Sequence, residues 1–140
     1  MFVDDRTLEL EESTVRAFVD ERYQERWLMG LSKRTRRRKL LERLCHYEDW
    51  DSKYAQDLPV PPGRERVAFL VEKLTELGAP SPCHLMGGPD DGSTMPVADA
   101  LTKYLDYGAL LVCVPGVLAV HLPENAEVIV LHRQDTTASR

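Results

Sequence analysis

The residues best equipped for chemistry lie in three places. The run SKRTRRRK at 32–39 sets Lys33, Arg34, Arg36, Arg37, Arg38 and Lys39 close together, with Arg43 a turn further on. On a helix, Arg34, Arg37 and Arg38 fall within one turn of each other. Guanidinium groups stay charged at any accessible pH and present paired donors that match phosphate or carboxylate oxygens. This run therefore points to recognition of an anionic partner, nucleic acid first and an acidic protein second. Contact would run through charge and forked hydrogen bonds, chiefly from Arg34, Arg37, Arg38 and Lys39, without sequence readout. The plainer reading is neutralisation inside the fold, with Asp20, Glu21, Glu25, Glu48, Asp49 and Asp51 as the counter-charges. Trp27, Tyr47, Trp50 and Tyr54 lie near the run and suit either base stacking or a core.

A second place is the segment GGPDDGST at 87–94, with His84 just upstream. Asp90, Asp91 and Ser93 offer two carboxylates and a hydroxyl, a set that suits a divalent cation. His84 could instead act as a general base oriented by an aspartate. Either would make a metal-assisted or His-based hydrolase, the alternative to a binding protein. The plainer reading is an Asp-Gly turn, with Ser93 or Thr94 capping the helix that follows. The glycines fit neither a Walker nor a dinucleotide-binding spacing.

Third come the dipeptides Cys45-His46 and Cys83-His84. Adjacent side chains diverge by about 100° on a helix and to opposite faces on a strand. Neither pair converges on one ion, so no metal and no cofactor is assigned. The three cysteines lack CxxC spacing and are read as small buried hydrophobes, suited to a reducing cytoplasm. His121 and His132 fall in expected strands and are read as structural.

These groups must be positioned by a chain of 140 residues with net charge −5, 43% apolar and 29% charged, the composition of an ordinary globular domain. Charge is segregated: residues 32–46 carry seven Lys/Arg against a single Glu, while both flanking segments are net acidic. The opening MFVDDRTLELEES has no apolar core of a signal peptide. The apolar run 109–120 is too short for a membrane helix and is interrupted by Pro115-Gly116. A cytoplasmic protein without a membrane partner is expected.

Val15, Phe18, Val19, Tyr23 and Trp27 recur at helical spacing, which predicts one helix from a Ser13 cap to a left-handed stop at Gly30. Ser32 would cap a second helix bearing Leu40, Leu41, Leu44 and Cys45, completing a helical hairpin. Residues 57–63, DLPVPPG, read as a stiff linker between a helical part, 1–56, and an α/β part, 64–133. A third helix over 67–77 stops at Gly78, and a fourth starts at Pro96 and ends near Gly108. Strands are expected at 83–86, 109–114, 117–122 and 127–132. Pro115-Gly116 and residues 123–126 form turns, and the polar residues 134–140 form a tail. The fold class is α+β: helices against one face of a mainly antiparallel sheet of about four strands, in a single domain over 1–133. Both faces of strand 117–122 are largely apolar, so the N-terminal hairpin or a second subunit would cover the other, leaving a homodimer open. A third functional reading is an adaptor or immunity-type interaction module.

Overall fold

The computed structural model describes residues 4–61, 63, 65–124 and 127–133. The 134–140 tail and part of the 123–126 turn lie outside the described residues.

Helix α1 spans Asp5–Phe18, and the Asp4 carboxylate caps it by accepting from the Thr7 amide at 2.8 Å. Helix α2 spans Glu21–Gly30 and is capped by Asp20, which accepts from the Arg22 amide. The single helix expected from Ser13 is thus two. Ser13 sits inside α1, its hydroxyl donating to the Glu9 carbonyl. The break has a tertiary cause. Val19 is extended and bridges Trp50, while the Asp20 amide donates to Asp49 O at 2.8 Å and the Asp51 amide to Phe18 O at 2.7 Å. These long-range bonds satisfy groups that helix ends leave free.

Helix α3, Arg34–Glu42, follows after a short turn and runs into a 3-10 turn, Arg43–Cys45. The hairpin forms, but Ser32 does not cap α3. Lys33 stands at the cap position without a side-chain bond, and the first turn holds no acid. Gly30 is not a left-handed stop either. It is the last residue of α2, and its missing side chain makes room for Leu40 of α3.

Beyond the hairpin, β1 is Ala55–Leu58, α4 is Glu65–Glu76, β2 is Cys83–Met86 and β3 is Thr94–Met95. Then come α5, Val97–Tyr104, and a meander of β4, Ala109–Val114, β5, Leu118–Leu122, and β6, Val128–His132. The sheet order is β1-β6-β5-β4-β2-β3, and every neighbouring pair is antiparallel. The described residues therefore form an α+β fold of five helices and six strands. The strands beyond the four expected are the two short edge strands. Residues 57 and 58, expected in the linker, belong to β1, which pairs Ala55 with Leu131 and Leu58 with Val128.

Helices cover both faces of the sheet, not one. Met86, Leu110, Val112, Ala119 and Leu131 pack with Phe18, Trp27, Leu44 and Trp50 from the N-terminal half. Leu85, Leu111, Leu118, Val120 and Val130 pack with Leu70 and Leu74 of α4 and Leu101 and Tyr104 of α5. Both faces of β5 are buried, with Ala119 and His121 on one side and Leu118, Val120 and Leu122 on the other. The cover sought for the second face comes from this chain's own α1–α3 layer. Among the described residues, no helix is long and apolar enough to cross a membrane.

His121 is buried in that N-terminal layer. The Trp50 indole N–H donates to its Nδ1 at 3.1 Å, so Nε2 carries the proton and donates to Leu44 O at 2.6 Å. Burial disfavours the imidazolium and outweighs the Leu44 carbonyl, pulling the pKa down to about 4.

Candidate anion-binding site

Helix α3 turns Arg37, Leu40 and Leu41 inward, so the cation at the centre of the basic run does not face solvent. Arg37 is 5% exposed. Its Nη1 and Nη2 donate to the two Glu11 oxygens at 2.6 and 2.8 Å. Nε and Nη2 donate to the two Asp91 oxygens at 2.8 Å each, and Nη1 reaches Leu31 O at 3.2 Å. All five guanidinium donors are thereby used. Burial lowers the Arg37 pKa, but hydrogen bonds and charge from Glu11 and Asp91 more than reverse this, and the net direction is up.

The cluster extends further. His84 Nε2 donates to Glu11 Oε2 at 2.7 Å, and the Gly87 amide donates to Asp91 Oδ1 at 3.0 Å. Glu11 of α1, Arg37 of α3, His84 of β2 and Asp91 of the β2–β3 loop thus form one buried ionic junction. Arg37, expected as an outward contact, is corrected to a structural member of it.

The other cations of the run, Lys33, Arg34, Arg36, Arg38, Lys39 and Arg43, are exposed. Arg38 lies 3.6 Å from Glu42 in a solvent-exposed pair, a kind worth about 0–1 kcal/mol. The acids expected to neutralise the run do not do so. Asp20 pairs with Arg22 on its own helix at 3.2 Å, and among the described residues Glu21, Glu25, Glu48, Asp49 and Asp51 make no ion pair with α3. Neutralisation does occur, but through Glu11 and Asp91, which the sequence did not single out as partners.

The exposed cations divide between two concavities. On one side of α3, Arg36, Lys39 and Arg43 face Arg22 and Arg26 of α2 across a groove of about 520 Å³. Glu25 is the one acid lining it, and the half-exposed Met29 is also part of the wall. Among the described residues, no carboxylate pairs with Arg26, Arg36, Lys39 or Arg43. On the other side, Arg34 and Arg38 line a cleft of about 520 Å³ whose lining also holds Arg37, Gly87, Gly88 and Tyr107 and the two acids Glu42 and Asp91.

The aromatics near the run belong to the core. Trp27, Tyr47 and Trp50 are buried, Tyr54 is partly so, and the Trp27 indole donates to the Tyr47 hydroxyl at 3.0 Å. Buried as they are, Trp27, Tyr47 and Trp50 offer no stacking surface for a base.

The residues of the alternative catalytic set are split between two networks. His84 and Asp91 belong to the Arg37 junction, where His84 is oriented by Glu11 and not by an aspartate. Asp90 accepts from Lys103 Nζ at 2.6 Å and from the Tyr104 hydroxyl, and these two bonds hold its carboxyl below the usual range. The Ser93 hydroxyl closes the loop by donating to Asp90 O at 2.6 Å. Neither Ser93 nor Thr94 caps α5, whose cap position is Pro96, and Thr94 pairs with His84 across the β2–β3 hairpin. Among the described residues, no three His, Cys, Asp or Glu side chains are grouped so as to hold a metal ion.

No family model matches this chain, and no curated protein and no solved structure matches it significantly.

Proposed function

We propose that this is a small non-enzymatic binding protein that docks a polyanion in the α2–α3 groove, nucleic acid in preference to an acidic protein. The observation that carries this reading is the convergence of Arg26, Arg36, Lys39 and Arg43 on one concave surface without paired carboxylates among the described residues. Like charges held together repel each other and raise the local potential, an arrangement that an approaching polyanion relieves. Guanidinium forks favour phosphate, because each makes two parallel charge-assisted bonds to it. Contacts of this kind read the backbone and not the bases.

The test is fluorescence anisotropy with labelled duplex and single-stranded oligonucleotides over a salt series. Four neutralised phosphates on duplex DNA give a log–log slope of about −3.6, at about −0.9 per phosphate. The joint variant Arg36→Glu and Lys39→Glu should remove most of the binding. A flat salt response, or equal binding by that variant, would refute the proposal, and binding of poly-glutamate in place of nucleic acid would move the partner to an acidic protein.

A further inference from the structure

The cleft on the opposite side of α3 from the groove has a different character. Its volume of about 520 Å³ matches a small organic ligand, not a lone ion. Arg34 and Arg38 stand one helical turn apart on α3 and line it together. Arg34 has no carboxylate partner among the described residues, and Arg38 has the exposed Glu42 contact at 3.6 Å. Both guanidinium groups can therefore turn to an incoming phosphate without breaking a buried bond.

The segment between α5 and β4 adds an aromatic surface. Tyr107 is one of two large hydrophobic side chains left exposed among the described residues, at 47%. Its ring meets Tyr104 edge-on, with centroids 5.3 Å apart and an interplanar angle of 86°. A ring propped in this way can offer a face to a flat ligand. Gly87 and Gly88 also line the cleft, both at positive φ, and a side chain on Gly88 would collide with the Tyr104 ring.

Asp91 also lines the cleft, accepting from Arg37 and from the Gly87 amide, while Asp90 accepts from the hydroxyl of Tyr104, the ring that Tyr107 meets.

We propose that this cleft binds a nucleoside phosphate, with the phosphate held by Arg34 and Arg38 and the base laid against Tyr107. The site is separate from the α2–α3 groove and stands on different residues, so either can fail alone.

The experiment is isothermal titration of the full chain with AMP, GMP, adenosine and inorganic phosphate, with amide NMR shifts mapping the location. AMP or GMP should bind at least tenfold more tightly than adenosine or phosphate alone, with shifts at residues 34–45, 87–91 and 104–108. The double variant Arg34→Ala and Arg38→Ala, and separately Tyr107→Ala, should each weaken binding about tenfold or more, while Tyr107→Phe retains it. All of these side chains are exposed, so the variants should keep the parent melting temperature. Arg36→Glu with Lys39→Glu, which disables the groove, should leave nucleotide binding unchanged. Absence of nucleotide binding at millimolar concentration, phosphate binding as tightly as AMP, or shifts elsewhere would each overturn the proposal.

Discussion

Glu11 decides where Arg37 points. A carboxylate with no solvent exposure requires compensating charge, because desolvating an ion costs several kcal/mol. Arg37 supplies it, His84 adds a hydrogen bond to the same carboxylate, and Asp91 completes the guanidinium's bonds. Breaking such a junction from one side leaves buried charge unpaired, so Glu11→Ala should lower unfolding free energy by roughly 3–5 kcal/mol. Arg38→Ala, which removes an exposed pair, should change it by less than about 1 kcal/mol; urea denaturation reads both. This junction was half visible in the sequence. Leu8, Glu11, Val15 and Phe18 lie at helical spacing on one face of α1, and an acid on an apolar stripe signals a buried partner. Starting the helix at Ser13 left Glu11 outside the pattern. His121 yields a pH prediction. Its folded pKa of about 4 lies below the ordinary 6.5, so the unfolded chain binds more protons between those values. Stability must then fall as pH drops from about 6.5 to 4, by up to about 3 kcal/mol. His121→Gln should flatten this part of the profile in denaturation curves measured from pH 7 to 4.

At the scale of elements, the outcome followed the source of the signal. Helix α4 and strands β2, β4, β5 and β6 were legible because their own apolar spacing or β-branched content sets them. The α1–α2 break was not, since Val15, Val19, Tyr23 and Trp27 keep helical spacing across it. What interrupts the helix is the distant pairing of residues 18–20 with residues 49–51. Strand β1 was hidden for a related reason: its residues, AQDL, gain strand character only beside β6. Glycines separate two kinds of constraint. Gly78 ends α4 at φ 101° with open space where a side chain would project, whereas Gly108 at φ 106° lies against Cys45, whose Cα is 2.8 Å from where a Cβ would be. Gly78→Ala should therefore cost about 1–2 kcal/mol from backbone conformation alone. Gly108→Ala adds a backbone collision and should cost at least about 1–3 kcal/mol more, as overpacking does. Comparing the two melting temperatures with that of the parent protein checks the difference.

Across the whole molecule, the sheet separates an N-terminal layer that carries the cations from a C-terminal layer built on α4 and α5. The chain is acidic overall, yet its basic run remains largely outward after one arginine is taken into the core. The sequence showed the charge segregation and the helical hairpin, but not that α3 would be divided between two concavities. That division depends on which way Arg37 faces, and so on Glu11 and Asp91. Electrostatic steering by a local patch of this kind should speed association at low salt and fade as the Debye length shrinks from about 30 Å at 0.01 M to 8 Å at physiological ionic strength. The most direct test is an amide NMR footprint of the full chain titrated with a short DNA duplex at low salt. Shifts concentrated along residues 22–30 and 36–43, and lost in the Arg36→Glu and Lys39→Glu variant, are the predicted result. Shifts confined to the α4–α5 face, or a footprint unchanged by the charge reversal, would contradict it.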